Sequence, residues 1–238
     1  MKKNYKCTFC FFILLLCMQF GYGQNKLTEN KYGLTIEKWL MLNIDKYGLE
    51  SSDILDIRIS DSYYSDKTKI NHVYANQAFQ GVKIHNAISS ISIRDNKVFY
   101  FANAFVSNIA SKINTTEAFL NPKSAISAVV SKYALGSVND LQLLSSSGNN
   151  YLFSRGNISK EEIPVQLVYQ QVEDGSLKLA WDLSIYSNNG KNWYSVRVDA
   201  LNGEVLSTND WVVSCNFNDH NHKDHQAHLR SNYSNSID

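Results

Sequence analysis

Two stretches of this chain carry the same order of patterns, one helical segment followed by a run of alternating strands, and that repeat limits the fold more than any other feature. In the first stretch Ile36, Trp39, Leu40, Ile44 and Tyr47 recur at helical spacing. Thr35 offers a cap for the start and Gly48 an end, so a helix is expected over 35–47. From Ile54 the period becomes two. Segments 54–60, 70–80, 82–93 and 98–106 are β-branched or aromatic, and the breaks Gln80-Gly81 and Asp95-Asn96 supply short-turn chemistry. In the second stretch Asn121 is a natural N-cap and Pro122 suits the first helical position. Ile126, Val129, Val130 and Tyr133 share a face there, and Gly136 is expected to close the helix. Strands are expected again over 141–144, 151–153, 165–171, 177–185, 193–198 and 204–207, punctuated by Glu173-Asp174-Gly175 and Asn202-Gly203. The reading is an α+β protein: two small helix-plus-antiparallel-sheet modules in tandem, over 24–110 and 111–213, with a disordered polar tail over 214–238.

The first 23 residues read as a secretory signal peptide. Lys2, Lys3 and Lys6 precede an apolar run from Phe9 to Phe20, and Gly21 and Gly23 supply small residues for cleavage after Gly23. The run is short of the roughly 20 residues that a membrane span needs, so no stable anchor is expected. Cys17 lacks the small residues before it that a lipoprotein signal shows. Cys7, Cys10 and Cys17 leave with this segment, so Cys215 stands alone and stability must come from an apolar core. Loss of the three lysines takes the formal charge from +1 to −2, because residues 1–23 hold no Asp or Glu. No basic surface argues for nucleic acid.

The sequence contains no His-Glu-x-x-His, the spacing that sets two imidazoles on one helical face for zinc with a Glu beside them as base. It also lacks a Gly-x-Ser-x-Gly elbow and a glycine-rich phosphate loop. The expectation is a chain that is not an enzyme, with no catalytic residues and no cofactor of its own. His220, His222, His225 and His228 lie within ten residues beside Asp219 and Asp224. They are weak metal candidates, because nothing near them holds the ligands in place before binding. Cys215 reads as an unpaired thiol. His72, Tyr74, Asn76, Ala78 and Gln80 fall on one strand face by period two, where His72 reads as a half-exposed sheet residue. Gln77, Gly81, Asn86 and Asn103 suit turns and backbone hydrogen bonding. Trp181 and Trp193 alternate on strands and suit the core or, as the second reading, an anchor for a partner; with Trp211 they are the docking candidates. The loop after Asp199, with Asp199 capping and Gly203 free to take a positive φ, gathers too few oxygens for calcium.

Two motifs resemble known modules. His72-Val73-Tyr74-x-x-Gln77-x-Phe79-x-Gly81-Val82-x-Ile84-x-Asn86-Ala87, followed by Asp95-x-Lys97-Val98 and Asn103-x-Phe105-Val106, resembles the fungalysin/thermolysin propeptide module. Leu179-Ala180-Trp181-Asp182-Leu183, then Trp193-Tyr194-x-Val196-x-Val198-Asp199-Ala200-x-Asn202-Gly203-Glu204-Val205-Leu206, resembles the PepSY module that follows it, with 121–135 as its opening helix. Asp210-Trp211-Val212-Val213 is similar to the join to the catalytic domain in bacterial fungalysins.

The resemblance covers about residues 30–213. It implies the pro-region of a secreted fungalysin-like zinc metallopeptidase, assisting the folding of its catalytic domain and holding it inactive. The implied partner is a fungalysin- or thermolysin-like catalytic domain, in cis or in trans, and zinc is expected in that partner. The departure is that the catalytic domain is not in this sequence. A free-standing secreted inhibitor or chaperone acting in trans is the alternative, ahead of a metal- or cell-wall-binding module.

Overall fold

A computed structural model describes residues 27–212. The expected signal peptide, Cys215 and the four tail histidines lie outside them. The first stretch forms helix α1 (Gly33–Asn43) and strands β1 (Ile57–Ser65), β2 (Ile70–Phe79), β3 (Val82–Arg94) and β4 (Lys97–Ala102). A single-turn helix, α2 (Ile109–Lys112), leads to α3 (Pro122–Tyr133) and strands β5 (Leu143–Ser147), β6 (Asn150–Phe153), β7 (Ile163–Gln171), β8 (Leu177–Tyr186), β9 (Trp193–Asp199) and β10 (Val205–Asp210). The architecture is α+β. All ten strands join in one sheet of order β1-β2-β3-β7-β8-β9-β10, with β4 on β3 and the β5–β6 pair on β7. Every pairing between two of these strands is antiparallel except the junction, where Lys83 and Ile84 of β3 run parallel to Val168 and Tyr169 of β7; an isolated bridge from Ile113 to Leu177 is also parallel.

The turns form where their chemistry places them. Gln80 and Gly81 sit at φ 49° and 85°, and Asp95 and Asn96 at 49° and 58°. Two successive positive φ values make the tight hairpin turn whose twist matches that of the strands. Gly48, at φ 63°, ends the 3-10 turn Ile44–Tyr47 that continues α1.

Several boundaries differ from expectation: β4 ends at Ala102 and not at 106, β5 runs Leu143–Ser147 and not 141–144, β7 starts at Ile163, β10 runs on to Asp210, and three further shifts have a local cause. Helix α1 starts at Gly33, so Thr35 is not its cap; the Thr35 hydroxyl reaches Asn96 Oδ1 at 3.4 Å instead. Helix α3 closes at Ala134, at φ 52°, and not at Gly136. Leu135 packs on the core there while its N–H reaches Val130 O, so burial holds the left-handed turn that alanine alone resists. The first strand begins at Ile57, because Ser51–Ile54 is a 3-10 turn built around the buried carboxylate of Asp53.

Each helix covers one core. Ile36 and Leu40 of α1 pack with Ile57, Val73, Ala75, Ile91, Ile93 and Phe101. Ile126, Val129 and Val130 of α3 pack with Trp181, Leu183, Val196 and Val198. Directly opposed residues share a sheet face. The row Ala78, Lys83, Val168, Ala180, Asp199 crosses the junction pair by pair. None of these five belongs to either core cluster, so α1 and α3 lie on one face, and among the described residues the other carries no helix.

Candidate docking face

The helix-free face is polar by alternation. On β8 the odd residues Leu177 to Ile185 point to α3, which leaves Lys178, Asp182, Ser184 and Tyr186, with the buried Ala180, on the other side. Register then brings Gln166 of β7 opposite Asp182, and Arg197, Ser195 and Trp193 of β9 opposite Asp182, Ser184 and Tyr186. Arg197 is the centre of this face and is only 2% exposed. Its Nε donates to Ser207 Oγ at 2.7 Å, its Nη1 donates to Ser195 Oγ at 2.7 Å, and Asp182 Oδ1 lies 3.8 Å from Nη1. Gln166 Nε2 donates to the other oxygen of Asp182 at 2.9 Å. Burial pulls the guanidinium below its ordinary range, and the Asp182 charge opposes this.

Beside this network lies a cavity of about 370 Å³, lined by His85, Gln166, Asp182, Ser184, Ser195 and Trp211 among others. Burial, then Arg58, lowers the Lys83 ammonium pKa. Burial also lowers the His85 pKa, with Arg197 adding to the effect and Asp182 opposing it. The neutral imidazole is thus the form the fold prefers. Its contribution to stability is complete above the unfolded value near 6.5 and is lost as pH falls through the lower folded value. We expect His85→Gln to flatten the fall in melting temperature between neutral pH and about pH 5; an unchanged slope would assign that fall to other groups.

The far edge of the face is aromatic. The Tyr186 and Trp193 rings stack at 5.0 Å, and Trp211 meets Trp193 edge-on at 5.4 Å. Trp193 Nε1 donates to Ser184 Oγ at 2.8 Å. Asp210 fixes the backbone at this point: it accepts from Asn192 Nδ2 at 2.6 Å, Trp193 N at 2.9 Å and Val212 N at 3.0 Å. The Asn192 and backbone bonds hold its carboxyl below the usual range. The Trp211 N–H then donates to Trp193 O at 2.9 Å.

The three tryptophans singled out in the sequence separate. Trp181 is a core residue, 4% exposed, with Nε1 donating to Leu120 O at 2.8 Å. Trp193 and Trp211 are 38% and 54% exposed and touch each other. His72 stacks on Tyr63 at 4.8 Å on the same helix-free face. Asp199 accepts from Leu201 N at 2.8 Å and faces Lys178 at 3.6 Å, and Gly203 takes φ 81°. Gln77 is buried and bonds the backbone of Asp53 and Val106. Among the described residues no group of three His, Cys, Asp or Glu side chains is placed to hold a metal, and no helix is long and apolar enough to cross a membrane. Arg197 and Asp53 are not among the residues singled out in the sequence, and Asp210 is named there only within the join motif. The first had a signal, since an Arg between two valines on a strand carries a charge to whatever lies opposite.

No family model matches the chain. The extracellular metalloproteinase 3 of Trichophyton equinum is 32% identical to it over 166 residues, 67% of this chain and 26% of that protein. The extracellular metalloproteinase 3 of Trichophyton rubrum is 30% identical over 168 residues, with the same coverage of 67% and 26%. Extracellular metalloproteinase 10 of Coccidioides posadasii (strain C735) is 26% identical over 163 residues, again 67% of this chain and 26% of that protein. The chain spans about a quarter of the length of the curated relatives it matches. A solved structure, the Bacillus megaterium YpeB C-terminal domain, aligns over 76% of this chain and 65% of that one, with TM-score 0.33 and 10% identity, a likeness too low to carry an argument.

Proposed function

We propose that this chain is the pro-region of a secreted fungalysin-like zinc metallopeptidase, a non-catalytic segment that assists folding of the catalytic domain and inhibits it. The observation that carries this reading is the asymmetry of the match: 67% of this chain aligns at 32% identity with only 26% of an extracellular metalloproteinase. In this reading residues 1–23 direct export, and 24–110 and 111–213 are the propeptide-like and PepSY-like modules.

The geometry suits inhibition by docking. Among the described residues helices back one face only, and at the centre of the opposite face Arg197, Asp182 and Gln166 already bond one another or nearby hydroxyls, while Gln170 Oε1 is buried without a partner. The catalytic domain would sit against that face. In a precursor of this kind a segment joining the two parts would pair its backbone with an edge strand of the substrate cleft, as a substrate does. When both parts share one polypeptide the local concentration is on the order of millimolar, so modest docking inhibits, and cleavage of the join removes that advantage. Binding only the folded catalytic domain also draws its folding equilibrium forward, which is the chaperone role. Zinc and the hydrolytic groups belong to the partner. The test is to add the separately produced chain to an active catalytic domain of this family: activity is expected to fall as chain is added, and undiminished activity would reject the reading.

A further inference from the structure

The walls of the cavity of about 370 Å³ hold hydrogen-bonding groups that the protein leaves without partners. The Asp182 side chain in its wall is only 16% exposed, and its two oxygens are served unequally. Oδ2 accepts from Gln166 Nε2 at 2.9 Å, whereas Oδ1 has only Arg197 Nη1 at 3.8 Å, too far for a hydrogen bond. Ser184 and Ser195, also in the wall, use their hydroxyl oxygens as acceptors, from Trp193 Nε1 at 2.8 Å and from Arg197 Nη1 at 2.7 Å. Among the described residues neither hydroxyl donates to a protein acceptor, so each keeps an O–H to give. Register gathers the three: Asp182 and Ser184 share a face of β8, and Ser195 of β9 lies directly opposite Ser184. A carboxylate oxygen short of a donor and two hydroxyls short of an acceptor therefore border one small cavity.

These groups select a ligand by chemistry. It is neutral, because Arg197 offsets the Asp182 charge and burial keeps the His85 imidazole uncharged, so the wall offers an ion no net counter-charge. It carries donors beside acceptors, because what bonds Asp182 must donate while its neighbour accepts from serine. An alcohol hydroxyl does both at one atom. A peptide unit also has a donor and an acceptor, but in the trans form its N–H and C=O point to opposite sides, so one unit cannot serve Asp182 and Ser184 together. The Trp211 indole adds an apolar wall for the C–H face of a ring, and the volume lies at the small end of ligand sites. From this arrangement we infer that the cavity binds a neutral sugar, with Asp182 accepting from one ring hydroxyl, Ser184 and Ser195 donating to its neighbours, and Trp211 packing on the ring. The inference does not rest on the pro-region reading, and either can fail without the other.

The experiment is titration calorimetry of the whole chain with glucose, N-acetylglucosamine and cellobiose, and with glucuronate and a blocked alanine dipeptide as the charged and peptide probes. At least one neutral sugar is expected to bind one-to-one with a dissociation constant on the order of 1 mM, with glucuronate and the dipeptide weaker than it. Trp211→Ala and Ser184→Ala are each expected to weaken that binding by about tenfold with the melting temperature unchanged. Neither change opens the core, since Trp211 is 54% exposed and Ser184 bonds only the part-exposed Trp193 indole. Leu42→Ala, far away on α1, is expected to change it by less than about twofold. No heat from any of the three sugars at roughly 50 mM, far above that constant, overturns the inference. So does affinity as tight as wild type in both variants, which would put the sugar elsewhere on the chain. Tighter binding of glucuronate or of the dipeptide would make this an anion or a peptide site and overturn it as well.

Discussion

Asp53→Ala is expected to remove about 3–5 kcal/mol of folding stability. The Asp53 carboxylate is fully buried and accepts three backbone bonds, each at 2.9 Å: from Glu50 N and Asn108 N at Oδ2, and from Ile109 N at Oδ1. Its own carbonyl accepts from Gln77 Nε2 at 2.9 Å. One side chain thus ties the turn before β1 to the start of α2, where the chain crosses from one core to the other. Truncation strands three N–H groups where water does not reach them easily, each a loss of about 1–3 kcal/mol before relaxation. Asp53→Asn keeps the shape but turns an amide N–H toward a backbone donor, so it should fall between the two. Urea unfolding reads this as a lowered midpoint at constant slope. A loss under about 1 kcal/mol would mean that these donors find other partners.

Asp182→Ala is expected to lose about 3 kcal/mol, because it leaves a buried guanidinium without its counter-charge. Arg197 is 2% exposed and, with Asp182 gone, keeps only neutral acceptors, the hydroxyls of Ser195 and Ser207 among them. The Asn209 amide, oriented with its oxygen toward the guanidinium at 3.3 Å, adds a neutral acceptor and no charge. The double replacement Asp182→Leu, Arg197→Met should recover most of the loss, since it removes the charge together with its partner. Denaturant unfolding of the three proteins decides it. If the double variant is as weak as Asp182→Ala, the loss belongs to packing and not to an unpaired charge.

Local chemistry made much of this fold legible in the sequence. The pairs Gln80-Gly81 and Asp95-Asn96 both take two positive φ values, and Asn121 caps α3 by accepting from Ser124 N at 2.9 Å. These features depend on neighbours within a few residues, which is why a pattern reveals them. Asp53 was not legible, because its partners at Asn108 and Ile109 lie far along the chain and nothing local marks a carboxylate as buried. The same holds for the parallel β3–β7 junction, a pairing of only two residues from each strand that joins both blocks into one sheet. Trp181 and Trp193 read alike as sequence, yet opposite faces of the sheet send one to α3 and the other to solvent. Alternation gives the two faces of a strand without saying which one a helix covers. Arg197 lay between these cases, since its opposition to Asp182 follows once the β8–β9 register is known.

The most direct test of the central claim is a titration of the intact chain into an active fungalysin-like catalytic domain at fixed substrate. Activity is expected to fall to a low plateau at about one chain per catalytic domain, and the Asp53→Ala chain, once unfolded, to have no effect. Undiminished activity at a large excess of folded chain would contradict it.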